Sequence, residues 1–348
     1  MVTRTVVTGG AGMLGSTLVR RLLADGHEVH CVDLRAPGTT HDRLTHTVTD
    51  VRDAVAMKRA TADADVVVHC AAALPSYPAD QIRSVIVGGT ESVLGAAEAN
   101  GVPRFVHISS TAVYGLPKVV PTPEEYPREP VDAYSAAKAE AEEVAERFRG
   151  REMCLPILRP KTFLGPGRMG LFAMLFEWAE EGRHFPVLGK GDVRIQMFDV
   201  DDLVDAVVTA MEAPAERAHG TFNLGATRFG TLREDFQAVL DAAGHGRRVR
   251  SLPARPALAA LSALQRTRLS PVYGRLLHKL LDDSYVSTER AREQLGFSPR
   301  HSNQDAILRT YAWWREQQRT KSAPAKGQGV TSVEPWRQGA LSLAKVLF

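Results

Sequence analysis

The chain has 348 residues, of which 44% are hydrophobic and 24% are charged, as is usual for a globular protein. Its net charge of +3 is small for this length, so we expect neither a nucleic-acid groove nor a polybasic membrane surface. The three cysteines lack the spacing of metal ligands, so we expect no metal site. Because we find no secretory signal pattern and no run of about 18 apolar residues, we expect a cytoplasmic protein without a membrane span.

Strand-like and helix-like segments alternate over residues 1–160. Short apolar or β-branched runs predict strands, and apolar residues at helical spacing predict the helices between them. The predicted strands are 5–8, 28–33, 65–69, 104–109 and 153–158, and the predicted helices are 13–24, 53–60, 80–99 and 133–149. This alternation predicts an α/β fold with a doubly wound parallel sheet of the Rossmann type.

The alternation is looser after residue 160. The predicted helices there are 171–180, 200–211, 232–243 and 304–318, and the predicted strands are 194–199 and 221–224. We therefore divide the chain into a first domain of residues 1–160, with returning segments from about 194–225, a smaller C-terminal lobe of residues 161–319, and a tail of residues 320–348. The tail is either disordered or docked through its apolar end.

A glycine-rich turn directly follows the first predicted strand. Residues 8–15 read TGGAGMLG, and the helix begins within this segment. The glycines allow a tight turn and a close approach of the backbone to a pyrophosphate, which then faces the N–H groups of the helix N-terminus. The turn fits two glycine spacings, so it predicts a dinucleotide without choosing among dinucleotide families. The residues predicted to bind the cofactor here are Gly9, Gly12, Met13, Leu14 and Gly15.

Three further positions refine the prediction of the cofactor. Asp33 ends the second predicted strand, where a carboxylate accepts hydrogen bonds from the adenosine ribose and repels a 2′-phosphate. We therefore predict NAD, although Arg35, two residues later, could in principle favour the 2′-phosphate of NADP. Asp50 and Val51 follow a further strand between the predicted strands 28–33 and 65–69 and would bind the adenine, although each position taken alone also fits a helix cap or a packing site. The small residues that leave room for the cofactor after the predicted strand 65–69 are Ala71 and Ala72.

Tyr134 and Lys138 lie four residues apart in a predicted helix and therefore share one helical face. A free tyrosine has a pKa near 10 and is a poor base at neutral pH. A lysine ammonium and a nicotinamide ring beside it would lower that pKa to about 7, which requires about 4 kcal/mol. Lys138 would also hold the nicotinamide ribose. A hydroxyl from residues 109–111, at the end of the predicted strand 104–109, would bind the substrate oxygen and assist proton transfer.

Together these segments resemble the extended short-chain dehydrogenase/reductase family and, within it, the NAD-dependent epimerase/dehydratase group of sugar-nucleotide enzymes. The likeness runs from residue 2 to about residue 318. The further segments that carry it are 109–115 (SSTAVYG), 158–167 (LRPKTFLGPG), 198–203 (FDVDDL) and 222–225 (FNLG).

The resemblance implies that the first domain binds NAD, that the smaller lobe mainly binds a small-molecule substrate, and that Ser110, Tyr134 and Lys138 are catalytic. It implies that Tyr134 removes a proton from a sugar hydroxyl, and that a transient keto-sugar forms and is reduced again on its other face. We therefore expect an NAD-dependent epimerase acting on a UDP-hexose or UDP-hexuronate at C4. The resemblance also implies a homodimer formed through the helices at 80–99 and 133–149.

The sequence departs from this family at several positions. Thr111 and Ala112 stand where the 4,6-dehydratases of the group carry an Asp-Glu pair, so we expect no dehydration of that kind. Ile86 and Thr162 stand where asparagines are common in the family. This leaves open an NAD(P)-dependent dehydrogenase or ketoreductase acting on a sterol, a polyketide or another secondary metabolite, and, as a different class, a non-catalytic NAD-binding protein. The residues predicted to bind the substrate are Ala73, Thr111, Thr162, Arg194 and Lys279.

Overall fold

The computed structural model describes residues 2–149, 152–167, 172–256 and 281–320. Its strands are β1 (Arg4–Thr8), β2 (Glu28–Asp33), β3 (Leu44–Val48), β4 (Val66–His69), β5 (Arg104–Ile108), β6 (Ile157–Pro160), β7 (Phe163–Leu164), β8 (Phe185–Leu188), β9 (Phe198–Asp199), β10 (Thr221–Leu224) and β11 (Val249–Leu252). Its helices are α1 (Met13–Ala24), α2 (Ala54–Ala60), α3 (Ala79–Arg83), α4 (Gly89–Ala99), α5 (Ala133–Phe148), α6 (Phe172–Glu180), α7 (Val200–Glu212), α8 (Ala215–Ala218), α9 (Leu232–Ala243) and α10 (Asn303–Thr320). None of the helices in the described ranges is both long and apolar enough to cross a membrane.

Seven parallel strands form one sheet, in the order β10, β6, β5, β4, β1, β2, β3. The register places Thr8 beside His69 and His69 beside His107, so these three strands end at about the same level. The strand β4 is buried along its whole length, as expected of a parallel sheet with helices on both faces. The helix α1 packs against α7, while α2, α4 and α5 pack together. This is the doubly wound parallel sheet that the alternation predicts.

Some element boundaries differ from the predicted ones. The sixth strand begins at Ile157 rather than at residue 153, because Pro156 just before it has no N–H group to donate to a neighbouring strand. The segment 194–199 forms regular strand only at its end, in β9. A π-helical turn at Ser84–Gly88 joins α3 to α4 within the single helix that we predicted.

The described residues divide into two compact units. The first is made of residues 2–163, 200–225 and 286–299, and the second of the described parts of 164–199, 226–285 and 300–320. Residues 286–299 were assigned to the smaller lobe in the sequence analysis. They belong to the first unit because Val286 forms a parallel bridge with Thr122, and the Ser287 N–H group donates to the Thr122 carbonyl oxygen at 3.0 Å.

The second unit has its own apolar core and a two-stranded parallel sheet. The two strands are β8 and β11, neither of which the sequence analysis assigned. The large aromatic side chains in the core of this unit are Phe176, Trp178, Phe185, Phe236, Tyr311 and Trp314. The candidate Lys279 and residues 321–348 of the predicted tail lie outside the described residues.

Candidate active site

The glycine-rich turn between β1 and α1 packs backbone against backbone at Gly9 and Gly15, which leaves no room for a side chain at either. Gly9 has a φ of +69°, and its N–H group donates to the Val32 carbonyl oxygen at 2.7 Å. A Cβ atom on Gly9 would lie 2.7 Å from the backbone nitrogen of Ala71, and one on Gly15 would lie 2.1 Å from the carbonyl oxygen of Gly9. The turn therefore brings β1, the start of α1 and the end of β4 into backbone contact.

The first turn of α1 is open in a way that suits a phosphate group. Gly12 occupies the N-cap position, and no side chain caps the helix. Met13 and Leu14 begin the helix, where the backbone N–H groups have no partner within the helix and the helix dipole favours an anion. A Cβ atom on Gly12 would meet one atom within 4 Å, the Gly9 carbonyl oxygen at 3.1 Å. The residues present therefore fit the pyrophosphate of a dinucleotide.

Asp33 is held beside this turn by two backbone hydrogen bonds. Its Oδ2 accepts from the Ala11 N–H group at 3.1 Å, and its Oδ1 accepts from the Arg35 N–H group at 3.1 Å. Arg35 in turn reaches the Ala11 carbonyl oxygen with its Nη2 at 3.4 Å. Asp33, which we assigned to the ribose of NAD, and Arg35, which could bind the 2′-phosphate of NADP, therefore lie on the same loop.

Asp50 has a partner that its spacing in the sequence did not indicate. Its carboxylate accepts from the Nε of Arg52 at 2.9 Å and from the Nη2 of Arg52 at 2.6 Å. These hydrogen bonds lower the pKa of Asp50, so the group is ionised at neutral pH. The neighbouring Val51 is buried against Gly89, where an added Cβ atom would lie 2.8 Å from the Val51 Cγ2.

The small residues after β4 lie where the sequence analysis placed them, next to the glycine turn. Ala71 is partly buried and Ala72 is exposed, while Ala73 is buried. Because the backbone of Ala71 abuts Gly9, this segment forms one wall of the candidate cofactor site. Small side chains at these positions leave the space beside the turn open.

Lys138 is buried, and its ammonium donates to the carbonyl oxygen of Ile108 at 2.7 Å. Burial lowers the pKa of Lys138 to about 8, since a charged ammonium is poorly solvated there. Tyr134 lies one helical turn earlier on α5 and is partly buried. A reciprocal cap between Asp132 and Ser135 starts this helix, with the Ser135 N–H group donating to the Asp132 carboxylate at 2.7 Å.

Ser110 follows β5 in an extended conformation, with a φ of −164°. Its Oγ accepts a hydrogen bond from the Ala112 N–H group at 3.1 Å, which leaves the hydroxyl hydrogen able to donate. Thr111 and Ala112 are buried, and the Thr111 hydroxyl donates to the carbonyl oxygen of Pro160 at 3.4 Å. The serine hydroxyl is therefore the better placed of the two to bind a substrate oxygen.

The parallel sheet explains why these residues come together. Parallel neighbours end at one edge of the sheet, so the turn after β1, the alanines after β4 and Ser110 after β5 share that edge. The bond from Lys138 to Ile108 fastens α5 to the same edge. The arrangement can hold a dinucleotide and place a tyrosine, a lysine and a serine beside it.

The remaining substrate candidates lie in different units. Thr162 follows β6 in the first unit and is exposed. Arg194 belongs to the second unit, where its guanidinium carbon lies 4.9 Å from the centroid of the Phe229 ring and 5.0 Å from that of Tyr285. The Arg194 N–H group donates to the Asp283 carboxylate at 2.8 Å. This arginine is thereby fixed in orientation while its side chain stays exposed.

A buried ion pair near Lys138 was missed by the sequence analysis. Arg159 donates to the carboxylate of Glu142 through Nε at 2.9 Å and through Nη2 at 2.6 Å. The available signal was the spacing of Glu142 on α5, four residues after Lys138 and on the buried face of the helix. Its partner lies in the next strand and carries no such signal.

The sequence has relatives of known activity. A family model described as the NAD dependent epimerase/dehydratase family matches residues 5–225. The chain is 32% identical over 335 residues to the UDP-glucose 4-epimerase of Mycolicibacterium smegmatis, which covers 90% of this chain and 98% of that protein. It is 30% identical over 330 residues to the 3 beta-hydroxysteroid dehydrogenase/Delta 5-->4-isomerase of Mycobacterium tuberculosis, which covers 87% of this chain and 88% of that protein.

A further relative and a solved structure extend this comparison. The chain is 35% identical over 348 residues to the uncharacterized protein y4nG of Sinorhizobium fredii, covering 99% of this chain and 86% of that protein. The crystal structure of a UDP-glucose 4-epimerase from Thermotoga maritima with UDP-glucose matches with a TM-score of 0.75 and 24% identity, covering 90% of this chain and 99% of that chain. At this identity the structural match shows the shared fold.

Proposed function

The chain belongs to the NAD-dependent epimerase/dehydratase family, and we propose that within it this enzyme is a nucleotide-sugar 4-epimerase whose substrate is a UDP-hexose or UDP-hexuronate. NAD is its cofactor. The residues that would hold it are those of the glycine-rich turn, with Asp33 at the ribose and Lys138 at the nicotinamide end. Relatives that are named UDP-sugar 4-epimerases support the choice of substrate class.

The observation that carries the proposal is the buried ammonium of Lys138, fixed on Ile108 beside Ser110 and one turn from Tyr134. A positive charge in that place stabilises the phenolate of Tyr134, which makes the tyrosine a base at neutral pH. Ser110 donates a hydrogen bond to the substrate oxygen while Tyr134 takes its proton and later returns it. When bound, NAD supplies the acceptor for the hydrogen on C4 and gives that hydrogen back.

The residues after Ser110 favour epimerisation over loss of water. Dehydration of a sugar requires an acid and a base that eliminate a hydroxyl, and carboxylic acids perform this step. Thr111 and Ala112 carry no carboxyl group, and both side chains are buried. The proposed epimerisation uses Tyr134 alone for proton transfer, so it does not need this additional acid and base.

One alternative has support of its own. The relative from Mycobacterium tuberculosis acts on a steroid by its name, and Ile86 is buried while Thr162 takes the place of an asparagine. A net dehydrogenase or ketoreductase would use the same Ser110, Tyr134 and Lys138. It would release its reduced or oxidised cofactor after each turnover, whereas an epimerase regenerates its NAD in place.

The test is incubation of the purified protein with UDP-, GDP- and dTDP-sugars without added cofactor, followed by NMR of the anomeric protons. We expect new anomeric signals from a UDP-sugar and its C4 epimer. Tyr134→Phe should abolish them while NAD stays bound, and Tyr126→Phe, in a loop of the same unit, should not. Unchanged sugars together with oxidation of NADH by a ketosteroid or another ketone would reject the epimerase in favour of the dehydrogenase.

We also propose that the enzyme acts in the cytoplasm as a homodimer that associates through α4 and α5. Of the alanines on these helices, Ala96, Ala97 and Ala137 are buried within the chain itself, whereas Ala136 is exposed. The dimer contact would therefore use the exposed side of each helix; on α5 this side includes Glu140, which pairs with Arg83 at the end of α3. Gel filtration at micromolar concentration tests the proposal, and elution as a monomer would reject it.

A further inference from the structure

Glu142 lies on α5 below the residues assigned to the chemistry. It follows Tyr134 and Lys138 at the same four-residue spacing, so the three side chains lie along one face of the helix. The side chain of Glu142 has 0% of its surface exposed. A buried carboxylate is costly unless it is paired and hydrogen-bonded, so its contacts indicate what it does.

Arg159 is the main partner of Glu142 and is itself fixed on all sides. Its Nε and Nη2 bind the two carboxylate oxygens, and its Nη1 donates to the hydroxyl of Tyr114 at 2.7 Å and to the carbonyl oxygen of Glu124 at 3.0 Å. The Tyr114 hydroxyl passes its own hydrogen to the Asn223 side chain at 2.8 Å. The position of Glu142 is therefore set by a network that spans β6, β10 and the loop after β5.

Two bonds from α5 hold the end of β5 next to Ser110. The hydroxyl of Ser109 donates to the Oε1 of Glu142, and the ammonium of Lys138 donates to the carbonyl oxygen of Ile108. Residues 108 and 109 are thus held by side chains one helical turn apart. Ser110 is the next residue, so the direction of its hydroxyl depends on both bonds.

The negative charge of Glu142, which Arg159 and Arg128 bind directly, also acts on Lys138. Burial lowers the pKa of Lys138 to about 8, and the groups that oppose this are Cys70 and Glu142. Burial raises the pKa of the Cys70 thiol to about 12, so that group is neutral at physiological pH and contributes no negative charge. Among the described residues, Glu142 is therefore the anion that raises the pKa of Lys138.

We propose that Glu142 is a positioning residue for the reaction: through Ser109 it fixes the end of β5 that carries Ser110, and through its charge it keeps the ammonium of Lys138 protonated beside Tyr134. This inference rests on the proposed function, in which Tyr134 is the base. It applies equally to any reaction that this set of residues catalyses. Arg159 makes the arrangement stable by giving the buried carboxylate a partner.

The first experiment follows the titration of Lys138 without a substrate. Lysine labelled with 13C at Cε is introduced into the NAD-loaded protein, and the Lys138 signal is assigned from its absence in Lys138→Met. In Glu142→Gln we expect the pKa of Lys138 to fall by about one unit or more, because the neutral amide no longer stabilises the ammonium. Glu143→Gln is the matched control, since Glu143 is the next residue along α5 and its side chain is exposed, whereas Glu146 shares Arg128 with Glu142.

The second experiment measures turnover against pH. In Glu142→Gln the alkaline limb of the kcat profile should move to lower pH, with kcat lowered about tenfold above pH 8 and KM little changed, since each unit removes tenfold of the protonated lysine. Ser109→Ala removes a contact but no charge, so it should lower kcat several-fold at every pH without moving the limb. Glu143→Gln should leave both kcat and KM unchanged.

Each result decides one part of the proposal. An unmoved Lys138 titration in folded Glu142→Gln overturns the role of its charge, and a wild-type kcat in Ser109→Ala overturns the role in positioning β5. If Glu142→Gln does not fold, Glu142→Asp replaces it: the shorter carboxylate should keep the Lys138 titration and lower kcat, and a wild-type kcat contradicts the proposal. Because the titration uses no substrate, its outcome does not depend on whether the wild type epimerises a sugar.

Discussion

His69 and His107 face each other on neighbouring parallel strands, with their ring centroids 5.8 Å apart. The Thr90 hydroxyl donates its hydrogen to the Ile86 carbonyl oxygen, so in its contact with the Nε2 of His69 at 3.2 Å the hydroxyl is the acceptor. The proton of the His69 ring is therefore on Nε2, and Nδ1 accepts from the Thr8 hydroxyl at 2.7 Å. His69 is therefore neutral and structural. Both ring nitrogens of His107 are buried without a hydrogen-bond partner among the described residues.

The two histidines make the folded protein sensitive to acid. Burial, with the nearby charge of Lys138, lowers the pKa of His69 from 6.5 to about 3 and holds that of His107 well below 6.5. Below pH 6.5 the unfolded chain binds protons on these rings and the folded chain does not, so the free energy of unfolding falls as the pH falls toward 3. For His69 the loss reaches about 2 kcal/mol at pH 5.

His107→Leu tests this relationship. At pH 7 we expect the free energy of unfolding to be no lower than in the wild type, because an unsatisfied buried polar group costs about 1–3 kcal/mol and leucine has none. Between pH 7 and pH 5 the variant should lose less stability than the wild type. Urea unfolding at both pH values measures it, with the exposed His46→Gln as the control. If the variant loses as much unfolding free energy between pH 7 and pH 5 as the wild type does, His107 does not contribute to the acid sensitivity.

Gly15→Ala should abolish binding of the cofactor. The new methyl group would lie 2.1 Å from the Gly9 carbonyl oxygen, so the turn has to move away from α1. We expect the Kd for NAD to rise by about 100-fold or more and Tm to fall. Gly95→Ala on α4 has no atom within 4 Å of its Cβ position, so it should bind NAD normally and gain about 0.5–1 kcal/mol of helix stability. Calorimetric titration with NAD measures both, and a normal Kd in Gly15→Ala would contradict the assignment of the turn.

Asp33→Asn should shift the preference from NAD toward NADP. The carboxylate repels a 2′-phosphate, and Arg35 on the same loop becomes its partner once that charge is gone. We expect the affinity for NAD to fall about tenfold and the affinity for NADP to rise. The ratio of the Kd for NAD to the Kd for NADP measures this shift. Adding Arg35→Ala to this variant should remove the gain for NADP. A preference that does not change in Asp33→Asn would show that another residue selects the cofactor.

Arg194→Lys tests the role of the stacked guanidinium in the second unit. A lysine has neither the flat face that packs against Phe229 and Tyr285 nor the paired donors that fit a phosphate. We expect KM for the UDP-sugar to rise about tenfold with kcat little changed, since the interaction is with a part of the substrate that does not react. Arg315→Lys, which stacks over Tyr311 in the same unit, is the control. An unaltered KM would remove Arg194 from the substrate site.

The sequence predicted those parts of the site that depend on local spacing. Glycines at fixed intervals after a strand, a carboxylate at the end of β2, and Tyr134 with Lys138 on one helical face all follow from neighbouring residues. The second unit was predicted less well, because its strands are short and its core forms between distant segments. The start of β6 was placed too early because the apolar run continues through Pro156, whose missing N–H group delays regular strand to Ile157.

By itself, the sequence determined the fold class and the cofactor, and it suggested the residues for the chemistry, since short-range hydrophobic periodicity and turn geometry are encoded within a few positions. The tertiary structure alone decided what holds those residues. Lys138 contacts Ile108 across 30 residues of sequence, and His69 contacts Thr8 across 61. Glu142 contacts Ser109 across 33 residues and Arg159 across 17. Such contacts exist because the parallel sheet brings distant strand ends to one edge, and no local pattern in the chain records which side chains meet there.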